Sequence, residues 1–296
     1  MSTQITTAFK NTYASNVEHI AQQQESRLRA FVRLDPGYTG EKKFIDQIGK
    51  ADPQLVTDRH GDSPQNNTPH SRRMLTTSDY DLGDIVDDPD KIRTLNDPTN
   101  DYAVAFSEGF GREYDRVIIA AATGVAYSDK TGSTSNSLAA VNKVAVNYVE
   151  SGSAANSDLT VGKLRRAKEI LTAFETGKDH HIAVTASQIH RLLRDPEVTS
   201  ADYTAVKALI NGEITSYMGF QFHQTELLAL DSSTDYRTCF AWARNGIILG
   251  EGKPPTTEME KRGDKRFNLY IYMCMTLGAV RMEEEKVVEI TCDESP

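Results

Sequence analysis

Two short groups of residues resemble phosphate-binding motifs, and the spacing of each argues against that chemistry. The run Lys130-Thr131-Gly132-Ser133 looks like the end of a phosphate loop, but such a loop needs Gly directly before the Lys. Asp129 stands there instead and would repel phosphate. Gly109 and Gly111 form half of a dinucleotide-binding fingerprint, yet they lie within a helical pattern and not after a strand. This glycine pair therefore indicates close packing of a helix.

Three aspartates are spaced somewhat like the ligands of a calcium loop. They are Asp79, Asp81 and Asp84, but Gly83 and Asp84 stand where a ligand and a glycine should stand, and no Glu occupies the twelfth position. We therefore expect a solvated acidic face. A loosely bound cation at a junction between subunits is the alternative.

Histidines offer the other possible metal ligands. His180 and His181 precede a predicted strand, and His190 follows on a predicted helix, with no further ligand at a defined spacing. We expect a polar loop that leads into a buried strand. Since no nucleophile elbow and no cysteine motif occur either, we expect no catalytic, cofactor-binding or metal-binding residues, and a protein that is not an enzyme.

The composition narrows the class of protein. The 296 residues carry a net charge of −9 and a pI near 5.3, which argues against nucleic-acid binding as the main role because phosphate contacts need clustered Lys and Arg. Three widely spaced cysteines without a CxxC pair indicate neither a disulfide framework nor a zinc knuckle. A reducing cytoplasm is therefore the expected site of synthesis. We find no secretory signal and no apolar stretch near the roughly 20 residues of a membrane span.

The first half of the chain contains two helical patterns with a polar region between them. The first is expected to be an arm that docks outside its own core, because nothing nearby offers a matching apolar face. The second begins at Asp97-Pro98, a strong start signal, and ends near Thr123-Gly124. The apolar positions are Phe9, Tyr13, Val17, Ile20, Leu28 and Phe31 in the first pattern, and Tyr102, Phe106, Phe110, Tyr114, Val117, Ile118, Ala121 and Val125 in the second.

Residues 51–100 have few apolar side chains and cannot bury enough surface to form a core. Strand-like runs, Gln54–Arg59 and Ser71–Thr77, flank the most polar part. Either this is a mobile loop on a monomer, or it is a long hairpin that orders on a neighbouring subunit. The charges favour the hairpin, because basic residues are followed by acidic ones, as suits contacts between subunits. The expected inter-subunit contacts are Arg59, His60, Arg72 and Arg73 on the hairpin, and Asp79, Asp81, Asp84, Asp87 and Asp88 after it.

The second half mixes helices and strands, so we expect an α+β protein. Helices are predicted at Leu159–Phe174, Ala186–Arg194 and Ala201–Ile210. Strands are predicted at Ile182–Thr185, Phe220–Phe222, Cys239–Trp242, Ile247–Leu249, Phe267–Met275 and Val287–Ile290. The run Phe267–Met275 is apolar at nearly every residue, which is typical of a strand covered on both faces.

The last third of the chain contains the run Gly212-Glu-Ile-Thr-Ser-Tyr-Met-Gly-Phe-Gln-Phe222, followed by Cys239–Trp242 and Leu277–Ile290. In this order these segments resemble the major capsid protein of tailed double-stranded DNA bacteriophages. The first run is similar to the turn-and-strand signature of that family. An aromatic strand such as Cys239–Trp242 and a final sheet segment such as Leu277–Ile290 follow it there. Upstream, the stretches Arg59–Pro64 and Asn67–Arg73 resemble the extended loop of one branch, and the region from Asp97-Pro98 resembles the spine helix. The resemblance runs from about Phe9 to Cys292.

The resemblance implies the Hong Kong 97-type capsid fold and its parts. We expect an N-terminal arm at 1–45, an extended loop at 46–80, and a peripheral domain at 81–158 with its spine helix at about 98–123. An axial domain at 159–265 and C-terminal strands at 266–296 that return to the peripheral sheet complete the expectation.

The implied function is an icosahedral shell of hexamers and pentamers that encloses double-stranded DNA without sequence-specific binding. The implied partners are other copies of the chain, a separate scaffolding protein, a portal and a decoration protein. The chain would be made in the host bacterial cytoplasm and reside in the virion. Two alternatives stay open: a nanocompartment (encapsulin-like) shell that packages an enzyme, and a small α/β enzyme of unknown chemistry.

The extended loop predicts how the shell is held together. Some members of the family cross-link covalently through a Lys on this loop, and the chain has no Lys between Ala51 and Asp90. We therefore predict a non-covalent shell. Boiled virions should release monomers on a denaturing gel, and a ladder of higher bands would contradict this.

Overall fold

The computed structural model describes residue 23 and residues 25–57, 61, 63, 65–86, 99–194 and 216–295, with side chains from residue 103 onward in the first helix. The helices are α1 (Thr99–Thr123), α2 (Val161–Ala173) and α3 (Ala186–Arg194). The strands are β1 (Arg33–Pro36), β2 (Lys42–Ile48), β3 (His70–Thr76), β4 (Ser78–Val86), β5 (Ala126–Ser128), β6 (Thr134–Asn136), β7 (Lys143–Val144), β8 (His180–Val184), β9 (Ser216–Tyr217), β10 (Phe220–Gln224), β11 (Leu230–Asp231), β12 (Tyr236–Ala243), β13 (Ile247–Arg262), β14 (Asn268–Arg281) and β15 (Val287–Asp293).

A four-stranded sheet in the order β1-β13-β14-β4 packs against α1. The buried apolar residues of α1 recur every four positions, at Phe106, Phe110, Tyr114, Ile118 and Ala122, which places them along one face of the helix. In β14, buried residues alternate with half-buried ones. The expectation of a strand covered on both faces is therefore wrong, because α1 covers one face of β14 and the residues of the other face are only half-buried.

A seven-stranded sheet holds the largest part of the buried core. Its order is β7-β15-β12-β8-β10-β9, with β11 on β12. Every residue of β8 is buried, and so are the last five residues of β12. Helix α2 lies against β15, β12 and β7. Helix α3 spans the predicted Ala186–Arg194. Strand β8 begins two residues before the predicted Ile182, so the expectation of a polar loop at His180 and His181 is wrong, because both histidines are buried in the strand.

A third, small sheet in the order β2-β3-β5-β6 contains the polar region's hairpin. Strand β3 lies within one residue of the predicted Ser71–Thr77, but its partner is β2, in register from Lys42–Thr76 to Ile48–His70. Residues 54–57 form no strand. The predicted strand over Gln54–Arg59 is therefore wrong over 54–57, because the alternating apolar pattern that pairs with β3 lies earlier, around Phe44.

Two expected boundaries are crossed by the sheets. Strand β13 lies beside β14, although the expectation placed it in a separate unit that ends at residue 265. Strand β15 pairs with β12 and β7, so residues 266–296 do not form one group of strands. A single turn at Glu284–Lys286 carries the chain from one sheet to the other. The predicted helices at 9–31 and Ala201–Ile210 lie wholly or largely outside the described residues.

The C-terminal end of α1 is held by a buried arginine of β14. The Arg281 guanidinium donates to the carbonyl oxygens of Ala122 (2.9 Å) and Gly124 (2.7 Å) with one nitrogen, and to that of Asn136 (3.0 Å) with the other. A positive charge is favourable at this end of a helix. Burial lowers the pKa of Arg281, and the carboxylate of Glu284 opposes this. Within the described part of the chain, no helix is long and apolar enough to cross a membrane.

Replacing Arg281 tests this connection. We expect Arg281→Met to lower the free energy of unfolding by about 3 kcal/mol, because three buried carbonyl groups lose their donors. Urea denaturation of the unassembled protein, followed by far-UV circular dichroism, measures this. Arg262→Ala, which removes an exposed arginine paired with Asp264, should leave the midpoint close to wild type. Equal midpoints for the two variants would contradict the proposed role.

Candidate assembly surfaces

The base of the β2–β3 hairpin is fixed to the body of the molecule by a buried ion pair. Arg73 of β3 donates from Nε to the carbonyl oxygen of Met282 (2.7 Å) and from Nη2 to both oxygens of Glu284 (2.8 and 2.6 Å). Its side chain is only 10% exposed. Gln47 of β2 donates to the same Met282 carbonyl (3.2 Å). Both strands of the hairpin therefore attach to the segment that joins β14 to β15.

A small second core supports the same attachment. Leu75 is fully buried and packs with other buried side chains of this core, and the Tyr38 hydroxyl donates to the Leu75 carbonyl (3.1 Å). Gly278 of β14 allows the end of β3 to come close, because a Cβ there would overlap the carbonyl oxygen of Thr76. The members of this core are Tyr38, Leu75, Ala126, Ile248, Val280 and Met282, with Ile45 against them.

Beyond its base, the hairpin exposes apolar side chains. Ile48 at the end of β2 is 72% exposed, and Leu55 and Val56 in the loop are 88% and 80% exposed. The backbone amide of Gly49 donates to the Pro69 carbonyl (2.8 Å) and closes the strand pair. We define Ile48, Leu55 and Val56 as the hairpin tip. Neighbouring apolar side chains exposed to this degree are typical of a contact surface.

The three aspartates lie on β4, the outermost strand of the four-stranded sheet, with Asp79 and Asp81 on one face of the sheet and Asp84 on the other. Asp79, Asp81 and Asp84 are all exposed, and Asp79 accepts a hydrogen bond from the Thr276 hydroxyl (2.6 Å). Charges on an edge strand oppose unwanted pairing with another sheet. No group of His, Cys, Asp or Glu within the described ranges could hold a metal ion.

The predicted contact residues thus have different surroundings. Arg72 is exposed on β3, where it pairs with Asp46 (3.0 Å) and lies over the Phe44 ring. Arg73 is buried in its own chain, which corrects its predicted role as a contact with a neighbour. The structure brings Arg72 and Asp79, Asp81 and Asp84 to the surface but not together. Arg59, His60, Asp87 and Asp88 lie outside the described residues.

Sequence reasoning missed the residue that docks the arm. The buried carboxylate of Asp115 in α1 accepts hydrogen bonds from Gln23 Nε2, the Ser26 hydroxyl (2.6 Å), and the backbone amides of Arg27 and Leu28 (both 3.0 Å). A carboxylate beside the apolar face of a helix was the available signal. Gly111 lies under the crossing, where a Cβ would come within 2.7 Å of the backbone of Glu25, so the prediction of close packing is correct there.

A second contact ties the arm to β13. Arg29 pairs with both oxygens of Glu251 (3.0 Å) and lies over the ring of Tyr114, whose hydroxyl also donates to Glu251. Burial raises the pKa of Tyr114, and the Glu251 carboxylate raises it further. The arm segment, which we define as residues 25–32, is therefore held at several points on its own subunit.

Substitutions of the two neighbouring arginines on β3 distinguish a role in folding from a role in assembly. We expect Arg73→Ala to lower the free energy of unfolding of the unassembled protein by about 3 kcal/mol, since it leaves Glu284 and the Met282 carbonyl without their donor. Arg72→Ala is the matched control and should cost about 0.5 kcal/mol, because its ion pair is exposed. Thermal or urea denaturation checks both. A stable Arg73→Ala protein that fails only in assembly would restore the original expectation.

The whole chain is similar to known phage capsid proteins. A family model described as phage capsid protein matches residues 5–294. Among solved structures, the capsid of Ralstonia phage GP4 matches with a TM-score of 0.76 at 11% identity, over 98% of this chain and 97% of that one. The capsid of cyanophage P-SCSP1u matches with 0.70 at 14% identity, over 100% and 96%.

A third structure, from Mycobacterium phage Adephagia, matches with a TM-score of 0.66 at 16% identity, over 100% of this chain and 99% of that one. A comparison with curated protein sequences finds no match. At these identities the structures show the fold, which is the expected Hong Kong 97-type capsid fold. The family match covers nearly every residue and shows more: the chain belongs to the phage capsid protein family and is a structural protein of the virion, a major capsid protein that forms the shell.

Proposed function

We propose that the hairpin tip of each subunit contacts a neighbouring copy of the chain and that this contact holds the shell together without a covalent bond. The observation that supports this proposal is the difference in burial between the two ends of the hairpin. Arg73 and Leu75 at its base are buried, whereas Leu55 and Val56 at the tip are almost fully exposed. A hairpin fixed at one end with apolar residues at the other is suited to reach another molecule.

The free energy gained by burying the hairpin tip is modest for one contact, but it adds up over the many contacts of a shell. Complete burial of one such aliphatic side chain is worth about 1.5–3 kcal/mol. Ordering the loop opposes this gain. Because a closed shell repeats each contact many times, weak contacts together give a stable assembly. This energetic pattern supports reversible assembly before closure.

The two large sheets support a division of the subunit into a peripheral part and an axial part. We assign the four-stranded sheet with α1 to the peripheral part, and the seven-stranded sheet with α2 and α3 to the axial part, which gathers around five-fold and six-fold axes in pentamers and hexamers. This assignment follows the sheets, so β13 and β14 are peripheral while β15 is axial. The arm would then cross between the two parts at Asp115.

The distribution of charged residues supports further contacts between subunits. Arg72 on the hairpin is basic and partly exposed, and Asp79, Asp81 and Asp84 on β4 are acidic and exposed. Within one subunit Arg72 pairs with Asp46 and not with these aspartates, so between subunits the opposite charges favour one register over others. The net charge of −9 suits a wall that encloses double-stranded DNA without gripping it. A separate scaffolding protein, a portal and a decoration protein are the proposed further partners.

Removing the apolar tip tests the proposal. We expect the double variant Leu55→Ser/Val56→Ser to fold normally, because neither side chain is buried in the subunit, and to lose most closed shells. Electron microscopy and sedimentation of the full-length protein, expressed with and without a scaffolding candidate, measure shell yield. Circular dichroism of the unassembled fraction measures folding.

A polar control separates the apolar contact from loop flexibility. Gln65→Ser/Asn67→Ser changes two exposed polar residues on the returning side of the same loop and should assemble like wild type. Wild-type shell yield from the Leu55→Ser/Val56→Ser variant would show that the hairpin tip does not hold subunits together.

A further inference from the structure

A cluster of two histidines and two aromatic rings lies where the arm segment meets the seven-stranded sheet, with His181 and Trp242 buried and Phe31 and His223 half-buried. His181 Nδ1 of β8 is 3.1 Å from His223 Nε2 of the neighbouring strand β10. The Phe31 ring of the arm segment lies over His223, with ring centroids 4.0 Å apart. The Trp242 ring of β12 contacts both imidazoles, at 5.4 and 5.7 Å. We define these four residues as the histidine cluster.

The cluster is one of several attachments of the arm segment. The indole Nε1 of Trp242 donates to the Phe31 carbonyl (3.0 Å), and Leu28 and Val32 are buried on either side. Other attachments are the Asp115 carboxylate on α1 and the Glu251 carboxylate on β13. At the histidine cluster the arm segment is held by uncharged rings, whereas at Asp115 and Glu251 it is held by carboxylates.

The contact between the imidazoles constrains their protonation. In the 3.1 Å contact one ring nitrogen must accept the proton that the other donates. If both rings were doubly protonated, two donors and two positive charges would face each other. Burial lowers the pKa of His223 to about 4, with the charge of His181 lowering it further. Burial likewise lowers the pKa of His181, against the opposing effect of Asp179.

Charged groups surround the cluster on every packed element. On β8, Asp179 lies 3.3 Å from His181 Nε2 and is half exposed, and His180 points to the opposite face, where it contacts Lys168 of α2 (2.6 Å). Arg244 follows β12 and lowers the pKa of His181. On the arm, Arg27 donates to the Gln224 carbonyl (2.5 Å). Arg244 therefore opposes a cation in the cluster, and Asp179 favours one.

We propose that the His181–His223 pair is an acid-sensitive latch that holds the arm segment on the seven-stranded sheet when neutral and releases it when protonated. Protonation places a charge beneath the Phe31 ring and beside the fully buried Trp242 ring. Release of Phe31 also removes the carbonyl that accepts from Trp242. Because the same arm segment is tied to α1 through Asp115, the latch controls how the sheet and the helix are joined.

The direction of the pH dependence follows from linkage. Both histidines have a lower pKa in the folded protein than the ordinary value of 6.5. The docked state is therefore fully stabilised above pH 6.5, loses stability as the pH falls from 6.5 toward about 4, and loses no more from these groups below that. The released state binds more protons throughout this range.

The chain carries a built-in probe, because Trp242 is its single tryptophan. We expect the emission of the unassembled full-length protein to shift to longer wavelength, and its acrylamide quenching to rise, with a midpoint between pH 4 and pH 6.5. Hydrogen exchange of residues 25–32, corrected for intrinsic pH effects, should accelerate over the same range. Far-UV circular dichroism should stay unchanged there.

A variant that cannot titrate assigns the change to the pair. His181→Asn/His223→Gln keeps amide groups near both contacting nitrogens and should lose the acid transition. His190→Gln is the matched control, since His190 is exposed on α3, and it should titrate like wild type. Persistence of the transition in the double variant would assign it to another group, such as His180, whose pKa burial lowers to about 4, and would overturn the proposal.

If the double variant fails to fold, measurements on the wild-type protein alone still test the proposal. Constant Trp242 emission and constant exchange of residues 25–32 from pH 7 to pH 4 would overturn the latch. So would a change that coincides with loss of circular dichroism, because the whole chain would then be unfolding.

Discussion

Buried backbone groups must find hydrogen-bond partners, and in this chain charged side chains supply them at the junctions between sheets. Arg281 joins the end of α1 to β14 and the segment before β7, and Arg73 joins the hairpin to the turn before β15. Asp115 joins the arm to α1. Each charge is buried and each is compensated by several dipoles or by a carboxylate. The three sheets therefore keep one relative arrangement although the hairpin's own core is small.

This arrangement divides the subunit into fixed and free parts. Helix α1 and strands β13 and β14 form a long platform, on which the arm, the hairpin and the seven-stranded sheet are each attached at a defined place. The exposed apolar residues of the hairpin tip have no role in that platform. A shell protein needs this separation, because its subunit must be stable before assembly and its contacts must stay available until a neighbour arrives.

The sequence predicted the local elements well and their partners poorly. The start signal at Asp97-Pro98 and the four-residue apolar repeat were enough for α1, since both are local properties. Strand pairing depends on distant segments, so β2 was overlooked as the partner of β3 and β15 was expected beside the wrong sheet. Charge alone could not show that Arg73 points inward while Arg72 points outward. Asp115 carries no motif, because the hydrogen bonds that explain it come from backbone groups almost ninety positions earlier.

The attachment of the hairpin at its base alone also affects the angles at which subunits can meet. Subunits of a closed polyhedral surface meet their neighbours at more than one angle, and a rigid projection would fit only one of them. Here Arg73 and Leu75 keep the base in place, while residues 50–57 are exposed, so their dihedral angles can change without disturbing a buried contact. Under the proposed contact, the same chain follows different local curvatures by adjusting these residues, and its core keeps a single conformation.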